Sequence, residues 1–410
     1  MHFTLNTFYF SVIILLLSAC GGSSPSETVT NVDPITWVNS QDCNKASYPT
    51  KPNAVSSDSA YRYYEYHWQS DPQLCIQFYE KDLLEDEWET RISAALLYAT
   101  ENLPNIVPVN AYVVDQKNAL QTTLTQISKD VCLVFRTPDG SDLDNCIARA
   151  DPWGNRSAAA GVSDISLPQG AELHFFRDVW TGHDTPERQV SHGVRVLMHE
   201  YYHTYQNSMK FYFEDTKKFG IRVQWEDDRA SFLGEQDFVT VFPGWLEEGG
   251  AEFGGWALAS KFDKTVDQRT GMIAHMDEAR SVINTAAGKG DTVSLKDYEY
   301  KGGLYESSNN PNNGEAREFA YAYTGGFMAH VYLWSLDDAN YKKLIVDYYI
   351  NYAEKDKLNP GQGWKDSFED LFGMSMEKFY SDFDAFMLKD RNAHLTALKS
   401  MDLWRSASWE

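Results

Sequence analysis

Val196-Leu-Met-His-Glu-Tyr-Tyr-His-Thr-Tyr205 is the stretch on which the fold and chemistry of this chain turn. His199 and His203 stand four residues apart, and on an α-helix that spacing puts two side chains one above the other on a single face. Two imidazoles so placed can converge on one metal ion. Glu200 sits beside the same ion and can act on its bound water, which makes His199-Glu200-x-x-His203 a zinc-binding pattern. Ser191 is expected to cap the start of this helix. His192 lies two turns before His199, roughly 10 Å along the axis, too far to share the ion.

A hydrolytic zinc site takes three protein ligands and keeps one position for water. Downstream, Pro243-Gly-Trp-Leu-Glu-Glu-Gly-Gly-Ala-Glu-Phe253 reads as the start of another helix. Glu248 would complete a His-His-Glu set. Glu252 lies one turn further on the same face, where a carboxylate accepts the free N–H of a ligand histidine and fixes its tautomer and orientation. Glu247, Glu248 and Glu252 would otherwise be a solvated acidic face.

The two motifs together, the His199–His203 pattern and Trp245-Leu246-x-Glu248-Gly249-x-Ala251, resemble the gluzincin metallopeptidases, whose third ligand is the Glu of the second motif. Here 44 residues separate His203 from Glu248, and the Gly-x-Met-Glu-Asn signature of the aminopeptidase branch is absent from the sequence. The resemblance is therefore to the broader clan. It implies an α+β, zincin-like catalytic domain with a small N-terminal mixed sheet and a mostly helical C-terminal part. It also implies Zn²⁺ on His199, His203 and Glu248, with Glu200 as the catalytic base. Gluzincins use a Tyr shortly before a Gly, at the start of a helix, to hydrogen-bond the oxyanion. In Phe319-Ala-Tyr-Ala-Tyr323-Thr-Gly-Gly-Phe327 the match is Tyr323, three residues before Gly326, with Tyr321 in reserve and a packed core tyrosine as the alternative. His330 shares the helical face of Tyr323 and is read as structural, with a place in the cleft as the alternative. Residues 158–163 and 171–176 read as strands lying where a substrate-pairing sheet edge falls in that clan; an edge strand offers unpaired N–H and C=O groups to an extended peptide.

The N-terminus runs almost entirely apolar from Phe8 to Leu17 and continues Ser-Ala-Cys20-Gly-Gly. The run is too short to span a bilayer and is followed by small residues, so it reads as a cleaved signal peptide. Leu17-Ser-Ala-Cys20 resembles the bacterial lipobox, in which the cysteine becomes a lipidated terminus; a plain secretory signal is the alternative. The expected organisation is a lipoprotein signal over 1–19, a tether and irregular lead-in over 20–60, and the metallopeptidase domain over 61–410. The expected place is the bacterial cell envelope, lipid-anchored at Cys20, at the outer membrane or facing the periplasm. Cys43, Cys75, Cys132 and Cys146 then form an even set in an exported chain. The sequence-local pairing, Cys43–Cys75 and Cys132–Cys146, closes two modest loops, the second worth about 3 kcal/mol in the chain-entropy model.

With 36 Lys+Arg against 59 Asp+Glu, the chain does not match the basic surface that nucleic acid demands. Apolar spacing predicts a helix over 82–103 that buries Trp88, Ile92, Ala95, Leu96 and Ala99. Half-buried strands are expected at 107–114 and 131–135. Phe379, Phe383 and Phe386 form one stripe of a C-terminal helix. Residues 208–240, between the ligand motifs, are expected to form a wall or lid. The expected partner is a peptide or protein substrate. Two rival functions share the fold: an inactive binding or assembly lipoprotein, and a zinc hydrolase acting on a non-peptide amide or a glycan-decorated substrate.

Overall fold

Strands and helices alternate up to Ser231, and beyond it the described residues are helical, so the fold is α+β. The computed structural model describes residues 73–80, 86–103, 109–114, 119–131, 144, 158–162, 171–176, 186–209, 243–264, 268–299, 315–358 and 362–401, with strand segments at 36–38, 54–57, 61–66, 212–213, 218–226 and 229–231. All of them belong to one unit, Asp33–Glu410.

The strands are β1 (Thr36–Val38), β2 (Ala54–Ser57), β3 (Tyr61–Tyr66), β4 (Gln73–Phe78), β5 (Val109–Val114), β6 (Ala158–Val162), β7 (Ala171–Phe176), β8 (Tyr212–Phe213), β9 (Lys218–Glu226) and β10 (Arg229–Ser231). Between and after them come α1 (Asp86–Asn102), α2 (Gln121–Val131), α3 (Pro186–Met209), α4 (Gly244–Phe262), α5 (Arg269–Gly288), α6 (Glu315–Leu336), α7 (Tyr348–Leu358), α8 (Gly363–Phe372), α9 (Met376–Met387) and α10 (Arg391–Ser400).

One sheet runs β1-β4-β5-β7-β6, with the first three pairings parallel and β6 antiparallel at the edge. β5, in its middle, is buried at five of six positions rather than alternately. The alternation expected from sequence fails there because parallel neighbours flank the strand and α2 covers it, packing Ile127 against Tyr112 and Val114. Val131 closes α2 instead of opening a strand, and the rest of 131–135 lies outside the described residues. The expected helix over 82–103 is α1, and all five of its predicted core residues are buried.

A second sheet runs β10-β9-β3-β2, with β8 also on β9. It draws β2 from the stretch read as irregular lead-in and β8, β9 and β10 from the 208–240 insertion, joining them across roughly 160 residues of sequence, a pairing that local pattern does not carry. β1, also in the lead-in, pairs with β4. Cys75 on β4 is disulfide-bonded. Cys20, Cys43, Cys132 and Cys146 lie outside the described residues, as does the signal segment.

The metal-motif helix α3 starts at Pro186, five residues before the expected cap at Ser191. Proline suits a first helical turn, where its missing N–H would have no intrahelical partner. α3 packs on β6 and β7 on one side and on α1 and α4 on others. α4 is buried on nearly every face, from Gly244 to Ser260 apart from Glu248, which marks it as the central helix of the molecule. Its glycines bring neighbouring backbones close. A Cβ on Gly249 would meet Gly326 Cα of α6 at 2.3 Å, and one on Gly255 would meet Arg195 O and His199 Cβ of α3, both at 3.0 Å. Phe379, Phe383 and Phe386 of α9 are buried as the stripe predicts, stacking around Tyr332 of α6.

Candidate metal centre

The α3–α4 crossing brings His199, His203 and Glu248 together. Their candidate ligand atoms all lie within 4.8 Å of one another. His199 Nε2 is 3.1 Å from His203 Nε2, His203 Nε2 is 3.2 Å from Glu248 Oε2, and His199 Nε2 is 3.9 Å from the same oxygen. Donors on a tetrahedral zinc with bonds of about 2.0–2.1 Å stand about 3.3 Å apart. Two of the three separations are close to that edge and the third is longer. Both histidines are buried and Glu248 is partly exposed, and three electron-rich groups so close to one another call for positive charge between them.

The titration behaviour carries the same signature. Burial works against a charged His203, yet the Glu248 carboxylate beside it, helped by Glu200 and Glu247, carries its pKa up to about 9. Burial dominates at His199 and takes it down to about 4, against the pull of Glu252. The half-buried Glu200 is pushed up to about 7, first by burial and then by the Glu248 and Glu252 carboxylates, with His203 opposing. That value suits a group that takes and returns a proton near neutrality.

Glu252 stands one turn beyond Glu248, as expected, and Oε1 is 3.4 Å from His199 Nδ1. Its other oxygen accepts from Arg195 Nη1 at 2.6 Å and from His275 Nε2 at 2.8 Å. Burial alone would raise the Glu252 pKa; Arg195, His275 and His199 overcome it and hold the carboxyl well below its usual range. The carboxylate beside His199 is thus a fixed negative charge.

Tyr323 reaches the same cluster. Its ring stacks on that of His199, with centroids 6.5 Å apart and planes at 7°, and its hydroxyl hydrogen-bonds the Glu248 carboxylate. Burial and then the Glu248 charge raise its pKa, so the phenol keeps its proton as a donor. It lies more than two turns inside α6 rather than at a helix start, held there by the Gly249–Gly326 contact. Tyr321, the reserve, is fully buried, packs on Tyr298 and is not part of the cluster. His330 is buried too. It donates from Nδ1 to Gly326 O at 2.8 Å and packs between Trp245 and Phe253, the structural place.

Three residues of the cluster went unread in the sequence. Arg195 stands one turn before His199 and Gln206 almost one turn after His203, so extending the metal face along the helix in both directions would have found them. Gln206 Oε1 lies 2.9 Å from His203 Nδ1. His275 comes from α5, and no local spacing ties it to the motifs.

No family model, no curated protein and no solved structure matches the chain.

Proposed function

We propose that the protein is an exported, membrane-tethered zinc metallopeptidase of gluzincin type, with a zincin-like catalytic domain. The observation that carries this is the buried triangle of His199 Nε2, His203 Nε2 and Glu248 Oε2, with Glu200 and Tyr323 beside it. The donor set, two imidazoles and a carboxylate, is one that zinc takes in hydrolytic sites. Zinc, when bound, polarises the scissile carbonyl and lowers the pKa of a water toward about 7.

The side chains divide the remaining work. Glu200 receives the proton of the attacking water on its carboxylate and delivers it to the departing amine. Tyr323 donates its hydroxyl proton in a hydrogen bond to the oxyanion that develops on the former carbonyl. Glu252 Oε1 faces His199 Nδ1 at 3.4 Å, and its charge favours the tautomer that leaves Nε2 to ligate. The antiparallel edge strand β6 packs against α3, which supports docking of an extended peptide along that edge. The lipobox-like Leu17–Cys20 supports the membrane tether.

The test is elemental analysis of purified protein alongside Glu248→Ala. About one zinc per chain in the parent and loss of it in the variant are expected. Full zinc in Glu248→Ala would remove Glu248 from the ligand set, and a zinc-free parent after zinc supplementation would end the metallopeptidase proposal.

A further inference from the structure

We propose that Gln206 is a positioning residue of this centre, setting the tautomer of His203 and holding it in register with Glu248; the inference rests on the metal-site proposal above. Gln206 is fully buried. One end of its amide lies 3.0 Å from Glu247 O and 3.4 Å from Leu246 O. Carbonyl oxygens only accept, so that end is the NH₂ group, Nε2. The other end is then the carbonyl Oε1, which cannot donate. His203 Nδ1, 2.9 Å away, must carry the proton of that bond. With Nδ1 protonated, Nε2 is the nitrogen free to ligate, and it is the one that faces His199 and Glu248.

Gln206 therefore reads the α4 backbone and writes the state of a side chain on α3. Glu247 O belongs to the peptide that links Glu247 to Glu248, so one amide spans two of the three ligands. The amide is itself fixed. Its Nε2 donates to Tyr349 Oη at 2.7 Å, and Tyr349 donates in turn to Leu246 O at 3.3 Å. Tyr349 packs edge-on against Tyr202 and Tyr205 of α3. Those two hydroxyls donate to Leu344, Ile345 and Val346 carbonyls, in the π-helical turn Lys343–Asp347 that leads into α7. Gly250 makes the space, since a Cβ there would stand 2.7 Å from Tyr349 Oη and 3.1 Å from Gln206 Nε2.

Two variants separate positioning from packing. Gln206→Leu keeps the bulk and removes the acceptor for Nδ1–H. Gln206→Glu keeps an acceptor and removes the donor to α4. Both, with the parent, are titrated with Co²⁺ by visible absorption, and zinc affinity is measured by chelator competition. The expected result is a 10–100-fold loss of affinity and an altered cobalt spectrum in Gln206→Leu. Gln206→Glu should bind at least about tenfold more tightly than Gln206→Leu, because the imidazole keeps its partner. Should Gln206→Leu not fold, Gln206→Met takes its place, with the same loss of affinity and altered spectrum expected and parental values overturning the assignment. Equal losses in the Leu and Glu variants would reduce Gln206 to a tie between helices and overturn the assignment. Parental affinity and spectrum in Gln206→Leu would do the same. A parent that binds neither ion would instead bring down the metal-site proposal, and this one with it.

Discussion

At Glu252 three nitrogens converge on one carboxylate: Arg195 at 2.6 Å, His275 at 2.8 Å and His199 at 3.4 Å. Arg195 and Glu252 are both buried, so removing either leaves a charge without its partner. Glu252→Ala is therefore expected to cost about 3–5 kcal/mol in denaturant unfolding, in addition to any loss of zinc affinity. A change under 1 kcal/mol would mean that Arg195 finds water or another acceptor. Tyr323 is the complementary case, because phenylalanine keeps the ring that stacks on His199 and removes only the hydroxyl that faces Glu248. Tyr323→Phe should keep zinc and melting temperature near parental values while kcat falls about 10²–10³-fold, the loss typical of one oxyanion donor. A zinc-loaded Tyr323→Phe with parental kcat would hand that role to another group. Much of the site at this scale was legible in advance. Helical spacing aligns His199 with His203 and Glu248 with Glu252, and the α3–α4 crossing brings these four side chains together. Arg195 and Gln206 lie on the same helix face just beyond the motif, whereas His275 was not legible, because a lone histidine acquires meaning only from what it faces after folding.

Among the elements, α4 does the most positioning, and its glycines are the means. The Gly249–Gly326 contact sets Glu248 of α4 against Tyr323 of α6. Both partners there are backbone, which cannot step aside as a flexible side chain would. Gly249→Ala should therefore destabilise by about 1–3 kcal/mol and lower activity more than its stability loss explains, as the helices separate. Unchanged unfolding and kinetics would show that the crossing has slack. Gly373 is a local matter: it ends α8 in the left-handed conformation, φ 66°, where a side chain costs about 1–2 kcal/mol. Helices were the legible elements, since α1 and α9 carry their burial in a 3.6-residue period. Strands were harder. β5 hides its alternation by being central, and β9, on which β8 and β10 form local pairs, joins β3 across a long stretch of sequence. The start of α3 was misplaced because Pro186 opens the helix and Ser191 falls inside it.

Across the whole molecule, the α+β division came from the resemblance carried by the two motifs, and the described strands end at Ser231, before the second of them. The disulfide framework is expected from an even cysteine count, and Cys75 is disulfide-bonded; non-reducing peptide mapping should return Cys43–Cys75 and Cys132–Cys146, and a crossed pairing would contradict that connectivity. Membrane attachment belongs to this scale too. Among the described residues no helix is long and apolar enough to cross a bilayer, and the proposed anchor is Cys20. Cys20→Ala should move the protein out of the membrane fraction with its melting curve unchanged; persistent membrane association would end the lipid-anchor proposal. The proposed activity is hydrolysis at the His199–His203–Glu248 centre with Glu200 as base. Glu200→Gln keeps the size of the side chain and removes the carboxylate, while the three ligands remain. The deciding measurement is the cleavage rate of a broad peptide library by parent and Glu200→Gln, matched for zinc content. The expected outcome is cleavage by the parent and a fall of at least about 10²–10⁴-fold in the variant, the contribution of general-base catalysis. Equal fragments at equal rates from the two proteins, or no cleavage by the zinc-loaded parent, would contradict it.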